Sequence, residues 1–230
     1  MTAILSNLQA LHHGIAQVAQ AAGRDASKIM LLAVSKTFPE QAVREAYAAG
    51  QRSFGENYVQ EALDKIHALA DLTIEWHFIG PVQSNKTRVL AENFAWVHSI
   101  DRLKIAQRLS EQRPAHLPPL NICLQVNVSG EASKSGVAPQ DLPALAHEVN
   151  MLPYLKLRGL MAIPAPEDDV ASQRKPFALL RHLAEEMNAQ GLALDTLSMG
   201  MSHDFAAAIC EGSTIIRVGT TIFGKRDYIK

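Results

Sequence analysis

A chain of 230 residues with 47% hydrophobic content can fill a sizeable core, and its 13 glycines, 11 prolines and 20% charged residues exclude collagen-like, low-complexity and disordered classes. The 22 basic and 23 acidic side chains leave a formal charge of -1, which argues against a surface built to bind a nucleic-acid backbone. Two cysteines outside any CxxC or Cys/His cluster exclude a disulfide framework, and the lack of a secretory start or of roughly 18 consecutive apolar residues points to a cytoplasmic protein with no membrane span.

Residues 4–22 place Ile4, Leu5, Leu8, Leu11, Ile15, Val18 and Ala22 at helical spacing with Gly23 following, the pattern of an amphipathic helix with a glycine stop. A short branched apolar run at 29–34 reads as a strand, followed by Ser35, Lys36 and Thr37 and by a helix opened at Pro39. Strand-like pieces recur at 52–54, 75–79, 96–100, 120–128, 157–163, 194–199 and 214–218. Helical patterns at 40–49, 58–70, 86–93, 102–112, 140–150, 173–190 and 204–211 lie between or after them. Strand then helix, repeated, implies a parallel sheet with right-handed crossovers. Eight such units predict an α/β chain forming one (β/α)8 TIM-type barrel with an extra N-terminal helix. A doubly wound open sheet is the rival, and no GxGxxG follows the first strand. Only residues 219–230 remain after the last strand, so the opening helix is expected to cover the end of the barrel. No proline-rich linker divides the chain, and residues 1–230 read as a single domain.

In such a barrel functional groups collect at the C-terminal ends of strands. Lys36, Glu56, Asn57, His77, Asn127, Met161, Ser198, Ser202, Arg217, Gly219 and Thr220 all fall there. Lys36 shares strand parity with Met30, Leu32 and Val34, which sets its amine over the barrel mouth. A desolvated, uncharged amine can attack an aldehyde to form a Schiff base; a solvated lysine just past a strand is the other reading. LSMGMSHD at 197–204 and RVGTT at 217–221 are small-residue loops that either make tight turns or bind a phosphate, Ser202 and Thr220 adding hydroxyls and Gly219 close approach. Arg217 shares parity with Ile215 and reads as a mouth-facing guanidinium or a surface ion pair. Beside a pyridine nitrogen that cation would disfavour ring protonation and restrain carbanion chemistry. His77 suits either a flat ligand or a satisfied core site, Met161 is core by default, and Lys134 reads as a solvated loop charge. No HExxH, nucleophile elbow or P-loop occurs, so no metal site is expected.

AVSK at 33–36, FGENYVQE at 54–61, WHFIGPVQSNK at 76–86, RGLMAI at 158–163, SMGMSHD at 198–204 and RVGTTIFGKRDY at 217–228, taken together, closely resemble the pyridoxal phosphate homeostasis protein family. The resemblance implies a barrel like the N-terminal domain of alanine racemase that binds pyridoxal 5'-phosphate (PLP) as a Schiff base on Lys36. It implies that Arg217 faces the pyridine nitrogen, that Ser202, Gly219 and Thr220 hold the phosphate, and that Asn57, His77 and Met161 line the ring pocket. It also implies a carrier or regulator in vitamin B6 balance without established turnover, because the β-rich second domain of alanine racemases, with its catalytic tyrosine, has no counterpart here. A monomer is the expected state, and apo-enzymes that use PLP are candidate recipients. Two alternatives stay open: a PLP-dependent racemase-like enzyme, and a cofactor-free Schiff-base lyase or sugar-phosphate enzyme.

Overall fold

The computed structural model describes residues 2–130 and 135–224. Lys134 and the last residues of the RVGTTIFGKRDY motif lie outside the described residues. The strands are β1 (Met30–Val34), β2 (Ser53–Glu56), β3 (Glu75–Phe78), β4 (Trp96–Ile100), β5 (Leu120–Gln125), β6 (Leu155–Met161), β7 (Thr196–Ser198) and β8 (Ile215–Val218). They close a parallel barrel in chain order, β8 pairing with β1 at Leu32↔Arg217 and Ala33↔Val218. The open-sheet rival is thereby excluded, because an open sheet would leave two unpaired edges.

Strand alternation splits the apolar residues into two layers. Leu32, Val34, Ile79, Trp96, Cys123, Met161 and Ile215 form the small cluster inside the barrel. Leu31, Ala33, Phe54, Phe78, Val97, Ile122, Leu124 and Leu160 belong to the larger cluster between sheet and helices. The helices α1 (Ala3–Ala21), α2 (Glu40–Ala48), α3 (Val59–Ala68), α4 (Thr87–Asn93), α5 (Leu103–Gln112), α6 (Leu142–Asn150), α7 (Val170–Ala189), α8 (Phe205–Cys210) and α9 (Thr220–Phe223) surround the sheet.

The opening helix does cover the seam. α1 buries Leu8, Leu11, Ile15 and Ala19 and packs against α2, α8 and α9. Asn7 Nδ2 donates to Ile222 O at 2.9 Å, and just past the helix Arg24 donates to Ile209 O at 2.8 Å and Ser213 O at 2.7 Å. These bonds give the buried carbonyls at the end of α8 and in α9 their partners.

Several boundaries depart from the sequence reading, β5 ending at Gln125 instead of 128 and β6 spanning Leu155–Met161 instead of 157–163 among them, and three have a clear cause. β2 runs on through Gly55 and Glu56 because both pair with β3, opposite His77 and Phe78, so tertiary pairing overrides weak strand propensity. α7 begins at Val170 because Asp169 caps it, accepting from Ser172 N at 2.9 Å; Pro176 lies inside the helix without ending it. α9 is a single turn whose bonds from Ile222 N and Phe223 N to Gly219 O, both 2.9 Å, are too local to leave a periodic signature.

Candidate functional site at the barrel mouth

The loops that follow β1, β2, β3, β6, β7 and β8 enclose a cavity of about 190 Å³. Val34, Lys36, Asn57, Ile79, Ile163, Met201, Ser202, His203, Arg217, Gly219 and Thr220 line it. Six of the residues singled out from the sequence therefore meet in one place: Lys36, Asn57, Ser202, Arg217, Gly219 and Thr220. Apolar walls come from Val34, Ile79 and Ile163. Among the described residues no carboxylate lines the cavity, while a lysine and an arginine do, so the site suits an anion.

The loop that presents Lys36 is braced from behind. Glu56 Oε1 accepts from Ser35 Oγ at 2.6 Å and from Lys65 Nζ at 2.8 Å, and the same ammonium donates to Ser35 O at 2.7 Å and Glu61 Oε1 at 2.6 Å. Glu61 Oε1 in turn accepts from Thr37 N at 2.5 Å. Ser35 and Thr37 are thus both fastened, and the lysine between them is aimed. Thr37 has φ of 69°, a left-handed conformation unfavourable for a β-branched residue, so the brace holds local strain beside the lysine. Burial pushes the Glu56 carboxyl up, against the opposing pull of Lys65 and Ser35. Glu56 therefore serves the loop from the core and does not reach the cavity, a departure from its expected place at the mouth.

Asn57 is seated by a close backbone approach. A Cβ on Gly80 would lie 2.2 Å from Asn57 O, so only glycine lets the β3 exit pack against the β2 exit. Ser99 Oγ donates to Gly80 O and fixes that glycine. Asn57 Oδ1 is buried at the cavity with no hydrogen-bond partner among the described residues. An unmet acceptor of this kind fits a ligand that brings a donor.

The loops after β7 and β8 are tied together, since Arg217 N donates to Gly200 O at 2.9 Å. Gly200 has φ of 93°, and a Cβ there would come within 2.6 Å of Ala208 Cβ. Met201 N donates to Asp204 Oδ1 at 2.5 Å, closing the turn that exposes Ser202. Thr220 and Thr221 occupy the first turn of α9, where backbone N–H groups have no intrahelical acceptor. Gly219 stands close to β1, a Cβ there lying 2.9 Å from Val34 O.

Arg217 is 4% exposed, and burial lowers its guanidinium to about 10, so it remains a cation at neutral pH. Its NH1 donates to Ser198 Oγ and its NH2 to Ala162 O, each at 2.8 Å. The surface-pair reading of Arg217 does not hold.

His77 and Met161 are both fully buried and do not line the cavity. Their strand positions point them into the barrel interior beneath the mouth, because each lies on a strand instead of in the loop after it. His77 stacks on Trp96 with ring centroids 5.4 Å apart and hydrogen-bonds to His98 and Glu75. Asn127 lies elsewhere, its N–H donating to Val137 O at 2.9 Å. The sequence reading missed Ile79, Ile163, Met201 and His203 as lining, and His98 as a buried partner of Ser198. His98 had a signal, a polar residue two places after Trp96 and so on the same face of the strand. Among the described residues no cluster of His, Cys, Asp and Glu could hold a metal.

The alanine racemase N-terminal domain family matches residues 6–227. A pyridoxal phosphate homeostasis protein of Pseudomonas aeruginosa is 65% identical over 228 residues, which covers 99% of this chain and 98% of that protein. The chain belongs to the pyridoxal phosphate homeostasis protein family. A solved structure of PipY from Synechococcus elongatus, with PLP bound, shares 41% identity and a TM-score of 0.81, covering 91% of this chain and all of that one. The family's barrel also recurs in alanine racemase of Corynebacterium glutamicum, with a TM-score of 0.70 at 17% identity, where the match spans 95% of this chain and 61% of the racemase. That last likeness concerns the fold alone.

Proposed function

We propose that this protein holds PLP reversibly at the barrel mouth and serves vitamin B6 balance as a carrier, not as a catalyst of turnover. The observation that carries this reading is the convergence of Lys36, Arg217, Ser202 and Thr220 on one cavity that no carboxylate lines among the described residues, in a member of this family. The donor set suits a flat anionic aldehyde: an amine, a cation and hydroxyls, with the unmet Asn57 oxygen beside them. When bound, the cofactor supplies an electron-withdrawing ring and an aldehyde that an amine can capture.

The chain's own residues divide the work. Lys36 is the attachment residue, and the Glu56–Lys65–Glu61 brace fixes its approach. Ser202, Gly219 and Thr220 form the phosphate end, where hydroxyls and the free N–H groups of a helical first turn favour an anion. Arg217 presents a permanent cation to the ring nitrogen and keeps a proton off it. Ring protonation is what strengthens carbanion chemistry, so this arrangement favours holding the cofactor over amino-acid turnover. Ile79, Ile163 and Asn57 enclose the rest, whereas His77 and Met161 support the cavity from below. Apo-enzymes that use PLP are the recipients in this reading, the protein acting as a cytoplasmic monomer of one domain. No helix among the described residues is long and apolar enough to cross a membrane.

Spectral titration with PLP tests the proposal. The wild type gains a visible band and, after borohydride reduction, a pyridoxyl mass on the Lys36 peptide; Lys36→Ala gains neither. Label on another lysine overturns the assignment. Exchange of amino-acid α-hydrogen into deuterated water at enzymatic rates overturns the carrier reading in favour of a racemase-like enzyme.

A further inference from the structure

A file of hydrogen bonds crosses the barrel interior from the N-terminal face to the mouth. Glu75 opens β3 at the N-terminal face, its side chain 40% exposed, and its Oε2 lies 3.0 Å from His77 Nε2. His77 Nδ1 lies 2.9 Å from His98 Nε2, and His98 Nδ1 lies 2.8 Å from Ser198 Oγ. Ser198 Oγ is 2.8 Å from Arg217 NH1, and Arg217 lines the cavity. His77, His98 and Ser198 are wholly buried.

The two ends of this file fix its direction. Arginine has donors only, and an ionised carboxylate has acceptors only. Ser198 Oγ accepts from Arg217, which leaves its own proton available for His98 Nδ1, and the carboxylate end requires that it go there. His98 then carries its proton on Nε2 and donates to His77 Nδ1. His77 likewise carries its proton on Nε2 and donates to Glu75. One assignment satisfies every bond with both imidazoles neutral. The reverse assignment would set a lone pair of His77 against the carboxylate. Burial lowers both imidazoles, His98 well below its ordinary value with His77 and Arg217 adding to the effect, which agrees with neutral rings.

The surroundings hold the ends without breaking the file. Ser53 on β2 donates to Glu75 Oε2 at 3.2 Å, and Trp96 Nε1 on β4 approaches Glu75 Oε1 at 3.4 Å. Arg158 on β6 lies over the Trp96 ring but spends its charge on Asp195, at 2.8 Å. At the other end Cys123 on β5 and Asp204 before α8 are the ionisable groups that act on Arg217. Burial pushes the Cys123 thiol up to about 12, so it is uncharged.

We propose that Glu75, His77, His98 and Ser198 are positioning residues, a polarised file that holds Arg217 as a donor at the PLP ring and couples that ring to a carboxylate on the opposite face of the barrel. The inference rests on the carrier reading for its PLP part and on this chain alone for its proton arrangement. Cooperative polarisation along such a chain strengthens each bond, so a change at Glu75 is felt at Arg217.

Nitrogen-15 NMR of histidine-labelled, PLP-free protein tests the arrangement whether or not PLP binds. The wild type should show both rings neutral and protonated on Nε2. Glu75→Gln, whose amide can also donate, should move His98 toward the Nδ1–H form, and Glu75→Asp should restore the wild-type form. A cationic ring, an Nδ1–H on His98 in the wild type, or a His98 indifferent to Glu75→Gln overturns the file. In PLP-loaded protein, Glu75→Gln should shift the visible band, and the shift should be lost in a Ser198→Ala background. An unshifted band, or an equal shift in both backgrounds, overturns the coupling to Arg217. If Ser198→Ala does not fold, His98→Gln is the second background, with the same two outcomes. A wild type that shows the tautomers but takes up no PLP overturns the carrier reading and leaves the file standing.

Discussion

The molecule has two interiors of opposite character. The layer between sheet and helices is mainly apolar, with Phe54, Phe78, Phe94 and Phe177 among its largest fully buried side chains and with the Glu56–Lys65 brace and Arg113 as local polar exceptions. Inside the barrel, His77, His98, Ser198 and Arg217 occupy inward positions beside a smaller apolar cluster. Apolar burial is non-directional and tolerant of detail, whereas a buried polar file must be satisfied at every atom. The outer layer therefore supplies most of the apolar stability, while the inner file positions Arg217 as the Glu56–Lys65 brace positions Lys36.

The largest effect that separates the two should come from Phe177→Ala. Its ring is fully buried in α7, and removing it should cost about 3–5 kcal/mol. Urea denaturation should show the loss, while PLP affinity of the protein still folded stays unchanged. Ser198→Ala should cost less stability and, unlike Phe177→Ala, should reach the ligand. It strips an acceptor from Arg217 and a donor from His98, so stability falls by about 1–3 kcal/mol and PLP affinity falls with it. If Phe177→Ala weakened PLP binding as much as Ser198→Ala, the division between the two interiors would be wrong.

The same contrast explains what could be read from the sequence. Period-two and helical patterns follow from burial on one side of a strand or helix, so all eight strands and the opening helix were legible. Lys36 and Arg217 were legible by parity, since each continues an inward-facing series on its strand. For His77 and Met161 the residues alone left a core position open and the resemblance alone set them in the ring pocket; they lie buried below the mouth, a depth that strand parity does not give. The Lys65 brace was hidden for another reason: a lysine on a helix near acidic residues has the pattern of a solvated face, and only packing against Ser35 and Glu56 reveals its burial. The joining of His98 to Ser198 spans 100 positions and depends on barrel closure.

The pH dependence of stability gives a prediction of intermediate size. His77 and His98 have lowered values in the folded protein, against an ordinary value of 6.5. As pH falls below 6.5, the unfolded chain takes up protons that the folded imidazoles do not. Stability therefore falls as pH drops from about 6.5 toward 5, with a limiting slope of about 1.4 kcal/mol per pH unit for each imidazole. Glu75 is itself lowered, through its bond to His77, and its contribution is lost only at more acid pH. Thermal or urea unfolding from pH 7 to pH 5 should show the slope, and His98→Gln should reduce it by roughly half. An unchanged slope in His98→Gln would mean that His98 carries charge in the fold, which would remove the difference between the two interiors.

The smallest effect belongs to a cation outside both interiors. Arg44 and Asp71 form a close pair at 2.7 Å, with side chains 47% and 58% exposed, and their bond raises the guanidinium and lowers the carboxyl. Water already solvates both groups, and holding two long side chains together opposes the gain. Arg44→Ala should leave the urea midpoint unchanged at low and at high salt. Arg217 has equally short bonds yet lies where water does not compensate, so replacing it should move both stability and PLP affinity. The two arginines have similar bond lengths and differ in burial, so measuring both variants side by side tests whether burial, and not geometry, decides what a bond contributes in this barrel.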